Sequence, residues 1–61
     1  MKIYDDKQGS IELMKGAFGH NIIITRHVCP GHDIAACVGD FKKEKLQEIA
    51  NGLQEYINSL P

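Results

Sequence analysis

The sequence predicts an α+β fold: an antiparallel β-meander of three to four strands, then one C-terminal amphipathic helix packed on one face. Three observations carry this. Turn-forming residues at Gly9-Ser10, Gly16 through Asn21, Pro30 through Asp33 and Gly39-Asp40 cut the first part of the chain into segments too short for ordinary helices. Those segments hold β-branched residues or alternate in polarity. After Gly39 the apolar period changes from two to between three and four.

Taken in order, Lys2–Asp5 is the briefest segment. Ser10–Lys15 alternates, with Ile11 and Leu13 on one face and Glu12 and Met14 on the other. Asn21–Cys29 is rich in β-branched residues and reads as a strand, with Ile22, Ile24 and Val28 on one face and Ile23, Thr25, His27 and Cys29 on the other. Ile34–Val38 is a further short strand with Ala35, Ala36 and Cys37 at its middle. Leu46, Ile49, Ala50, Leu53, Ile57 and Leu60 then trace one face of a helix. Asp40 has the side chain of an N-cap residue, and Phe41 beside it is placed to close the helix start over the sheet. Short turns between consecutive strands make the pairing antiparallel.

Size and charge bound what such a chain can do. It has 61 residues, which is one domain. Seven basic against eight acidic side chains leave a formal charge of −1, with none of the basic excess that duplex nucleic acid attracts. The longest aliphatic run is Ile22-Ile23-Ile24, far short of a membrane span. The N-terminal residues carry no apolar signal-peptide core, and only Cys29 and Cys37 are present. The expected location is the cytoplasm, where two thiols stay free or bind metal. A domain of this size buries a small core, so a metal or self-association is the expected staple. One helix covers one sheet face, yet the Asn21–Cys29 strand is apolar on both. The face bearing Ile23 and Thr25 is therefore the expected homo-oligomer interface.

The densest chemical cluster is His27-Val28-Cys29-Pro30-Gly31-His32, followed by Asp33 and Cys37. His27, Cys29, His32 and Cys37 are a formally complete zinc set, although their spacing follows no common zinc motif. If Pro30-Gly31-His32 is a three-residue hairpin loop, Cys29 faces Asp33, His27 faces Ala35 and Thr25 faces Cys37. Cys37 is then a diagonal neighbour of His27, and the two cysteines lie too far apart for a disulfide. The plainer reading is a turn set by Pro30 and Gly31, with solvated histidines and Cys37 as a small core residue. A Cys–His nucleophile would need a substrate cleft that so small a sheet does not provide, so no enzyme is expected. Phe18, between Gly16 and Gly19, either folds onto the core or anchors a partner. Lys42, Lys43 and Lys45 crowd the helix start, where the macrodipole disfavours cations, and form either an anion-binding edge or a solvated face beside Glu44 and Glu48. Arg26, inside an apolar strand, either pairs with a carboxylate or grips an anionic ligand.

The run Val38-Gly39-Asp40-Phe41 leading into Lys42–Leu60 resembles, in layout, the small proteins of phages and mobile elements that join a short β-meander through a Gly-Asp junction to one amphipathic helix. The resemblance implies non-enzymatic work by binding, in some cases inhibition of a host defence system, as a homo-oligomer. The sequence thus leads to a small cytoplasmic binding protein whose partner is a host protein or a small anionic ligand. Its working surface is expected to combine Phe18, His20, Arg26, His27 and His32, and the alternative is a zinc module.

Overall fold

The computed structural model describes residues Met1–Pro61. Four strands, β1 (Lys2–Asp5), β2 (Gly9–Lys15), β3 (His20–Cys29) and β4 (His32–Phe41), precede one helix, α1 (Lys43–Ser59). The strands lie in the order β1-β2-β3-β4, every neighbouring pair antiparallel. This is the α+β meander with one C-terminal helix that the sequence predicts. No helix is long and apolar enough to cross a membrane.

The β2–β3 ladder is uninterrupted from Gly9↔Arg26 to Lys15↔His20 and puts Ile11 opposite Ile24 and Leu13 opposite Ile22, as the alternation requires. Gly9 is the one buried residue, and a Cβ there would sit 2.0 Å from the Thr25 carbonyl oxygen, so this rung admits only glycine.

The β3–β4 hairpin differs from the three-residue loop expected. Pro30-Gly31 alone makes the turn: Gly31 takes φ 77°, the left-handed geometry that follows proline in a type II turn. The register then runs Cys29↔His32, His27↔Asp33, Thr25↔Ala35 and Ile23↔Cys37, with a bulge at Val28. Type II turns match the strand twist poorly, and a bulge beside the turn absorbs the mismatch.

A second correction concerns Gly39-Asp40. The pair does not end the strand: β4 continues to Phe41, and the register shift between His20 and Ile22 leaves Gly39 and Asp40 together against Asn21. Asp40 has φ 62°, and its N–H donates to Asn21 Oδ1 at 3.1 Å. A bulge breaks the apolar period in the same way as a strand end, which is why the two are confused in sequence. Asp40 therefore does not cap the helix. Lys42 occupies the N-cap position with no side-chain cap bond, and its ammonium donates instead to the Phe18 carbonyl at 3.0 Å.

The apolar face of α1 looks toward the sheet face formed by Ile11, Leu13, Ile22 and Ile24, but does not close on it. Leu46, Ile49 and Leu53 stand across an entirely apolar cavity of about 350 Å³ from those isoleucines and leucine. No hydrophobic residue is buried; Ile24 is 50% exposed and Leu53 59%. The radius of gyration, 13.3 Å, exceeds the roughly 10.5 Å expected of a compact chain of this length.

Candidate functional site

Consecutive hairpins place their turns at alternate ends of a meander, and this divides the residues singled out in the sequence. The β1–β2 and β3–β4 turns share one end, with Arg26, His27, Cys29 and His32. Phe18 and His20 lie at the other, where His20 pairs with Phe41. From His20 to His27 along β3 is about 24 Å at ~3.4 Å per residue. One working surface that combines Phe18 and His20 with Arg26, His27 and His32 is therefore not what the fold provides.

At the first end the turns are built by carboxylates. Asp6 receives the N–H of Gln8 at 2.7 Å and of Gly9 at 3.1 Å on Oδ1, while the Tyr4 hydroxyl donates to Oδ2. The Tyr4 bond, followed by the two backbone donors, holds the Asp6 carboxyl below the usual carboxylate range. The same bond raises the Tyr4 phenol. His27 N–H donates to the Gln8 carbonyl at 2.8 Å, which ties the β1–β2 turn to β3.

This tie brings Lys7 alongside β3. Lys7, Gln8, Arg26 and His27 line an open depression of about 430 Å³ without an apolar wall. A neighbouring depression of about 410 Å³ continues past Lys7 and His27 to the Pro30-Gly31 turn and Asp33. His27 Nδ1 lies 2.7 Å from Asp33 Oδ1. Because a carboxylate only accepts, Nδ1 carries the proton in this pair, and Nε2 remains free for a second partner. Arg26 makes no ion pair within the chain, since the bridges are Lys2–Asp5, His27–Asp33 and Lys45–Glu48. The structural pairing considered for Arg26 is thus unfilled. Sequence reasoning found Arg26 and His27 but missed Lys7, because only the Gln8–His27 bond brings the β1–β2 turn to them.

The four zinc candidates separate. Cys29 and His32 are paired across the turn and His27 is nearby, but Cys37 is opposite Ile23, farther down the ladder than expected. No three His, Cys, Asp or Glu side chains converge as a metal site, and both thiols are free. Cys37 is exposed rather than a core residue. Ile23 and Thr25 share a face with Glu12, Ser10 and His27 and are half-buried. The larger exposed apolar area, including Ile34 at 58% and Val38 at 56%, is on the opposite, Ile22/Ile24 side.

No protein-family model, curated protein or solved structure matches this chain.

Proposed function

We infer that the chain is a non-enzymatic binding protein that works as a homo-oligomer in the cytoplasm and takes a small anionic ligand at the Lys7–Arg26–His27 end of the sheet. The observation that carries the ligand class is that Lys7, the unpaired Arg26 and the Asp33-held His27 border one open, polar depression at the end of the sheet, Arg26 and His27 from its two faces. Arginine presents a planar fork to two oxygens of a phosphate or carboxylate, lysine adds a mobile charge, and the free Nε2 adds directional bonding. The depression is shallow and open, so it suits an oxyanion group of a larger molecule held at the surface. Oligomerisation is supported by the absence of any buried hydrophobic residue.

Titration of the protein with inorganic pyrophosphate, followed by thermal unfolding, tests the ligand class. The midpoint should rise with pyrophosphate and the rise should vanish in Arg26→Ala, whose unliganded midpoint stays that of the parent. A parent midpoint indifferent to phosphate, pyrophosphate and dicarboxylates would sink this reading.

A second reading, inhibition of a host protein by direct contact, is favoured by Phe18. Its ring is 75% exposed while its carbonyl is held by Lys42, an aromatic kept in water by its own backbone. The resemblance to small phage proteins points the same way. Phe18→Ala that abolishes capture by a candidate host protein, with pyrophosphate stabilisation intact, would separate the two ends.

A further inference from the structure

The chain exposes 5273 Å². A compact monomer of 6.8 kDa exposes about 4,000 Å². The excess, on the order of 1,300 Å², is more than the roughly 800 Å² per partner that a stable dimer interface removes. That excess is as large as the surface one half of a dimer supplies.

The two edges of the sheet differ. β1 is four residues long, carries Lys2 and Asp5, and is kinked by the bulge at Ile3. These are features that prevent an edge from pairing. β4 is ten residues long and pairs only with β3, so its outer N–H and C=O groups are open. Every residue from His32 to Asp40 is exposed. It contains no lysine, arginine or proline, and its charges stand near its two ends, at Asp33 and Asp40. Its middle, Ile34–Val38, is apolar and small.

We propose that β4 pairs antiparallel with β4 of a second copy about a two-fold axis at Ala36, which joins two sheets into one of eight strands. The sequence of β4 is self-complementary in that register. Ala36 meets its own counterpart, Ile34 meets Val38 of the partner on the face that bears Ile22 and Ile24, and Ala35 meets the partner's Cys37 on the other face. The regular part of this pairing runs from Ile34 to Val38, inside the bulge at Gly39-Asp40, and holds no charged residue, so no like charges oppose. The two-fold axis is perpendicular to the sheet, so both helices stand on the same side and the exposed Ile34 and Val38 of the two copies form one apolar strip between them. This inference rests on the homo-oligomer reading and specifies its geometry; it does not depend on the anion site.

Cross-linking combined with light scattering tests it. In a Cys29→Ser, Cys37→Ser background, Ala36→Cys should form a covalent dimer on oxidation, because residues directly opposite in an antiparallel pair have Cα atoms about 4.5–5.5 Å apart. Ala36→Asp, which opposes its own counterpart on the axis, should raise the dimer dissociation constant about tenfold. A parent that is dimeric in solution while Ala36→Cys fails to cross-link would overturn the edge pairing and leave the oligomer reading standing. A parent that scatters as a monomer at every concentration would overturn both.

Discussion

The turn end of the sheet and the cleft beneath the helix follow opposite rules. At the turn end the polar groups have partners: Asp6 holds three donors, His27 is set by Asp33, and Gly9 is packed against Thr25. In the cleft, apolar side chains face one another across about 350 Å³ and none is buried. Hydrogen bonds between neighbours along a meander need only short loops to close, whereas a core needs enough chain to surround it. Sixty-one residues supply the first and fall short of the second. Local order in this protein is complete within one chain, whereas its apolar side chains stay open to solvent.

The comparison breaks most directly in the cleft. Leu53→Asp puts a charge on the apolar helix face; where assembly buries this side chain, the cost is of the order of the 2–5 kcal/mol of a core truncation or more. The expected outcome is loss of cooperative unfolding by circular dichroism. A variant that melts like the parent would mean that the cleft adds nothing to stability.

At the turn end, Gly9→Ala forces a Cβ onto the Thr25 carbonyl and should destabilise by about 1–3 kcal/mol, the range of overpacking. Chemical denaturation with the parent as reference reads this directly. Asn21→Ala removes the acceptor of the Asp40 N–H and should cost about 1 kcal/mol. The loss should appear as faster amide exchange at Asp40.

Asp6 offers a test by pH. Its folded carboxyl lies below the ordinary value of 3.8, so its contribution to stability is present above that value and is lost as pH falls through the lower folded one. Asp6→Asn should flatten the acid limb of the stability curve. An unchanged acid limb would mean that the turn is held by its backbone alone. The smallest effect is expected at Gly52, where an added Cβ meets nothing within 4 Å. Gly52→Ala should stabilise the helix by about 0.8–1 kcal/mol, seen as a higher midpoint with the oligomer unchanged.

Much of this arrangement is legible in the sequence, and the misreadings have definite causes. Alternation in Ser10–Lys15 and the three-to-four spacing from Leu46 to Leu60 reflect which side of an element is apolar, and both faces are as read. Gly39-Asp40 has the composition of a terminus, but Asn21, nineteen residues before Asp40, supplies the acceptor that lets the strand continue through it. The β3–β4 register turned on whether His32 belonged to the loop. One residue fewer in the loop and one more in the Val28 bulge together moved Cys37 two positions, from Thr25 to Ile23 and away from His27. Arg26 and His27 stand out by residue type alone, whereas Lys7 joins them only through the β1–β2 turn. That Phe18 and His20 lie at the far end follows from counting turns, a rule of topology that no residue announces.

The unbroken neighbour-to-neighbour order of the strands also governs how this protein comes into being. Hairpins closed by short loops form within microseconds. On the proposed β4 pairing, removal of the remaining apolar surface, by contrast, requires two molecules to meet. Maturation is then a fast unimolecular step followed by a slow second-order one, and a newly made chain at low abundance waits with its longest edge open. The yield of finished protein is set by the rate of synthesis relative to the rate of encounter, so dilution alone should lengthen the life of the unfinished form.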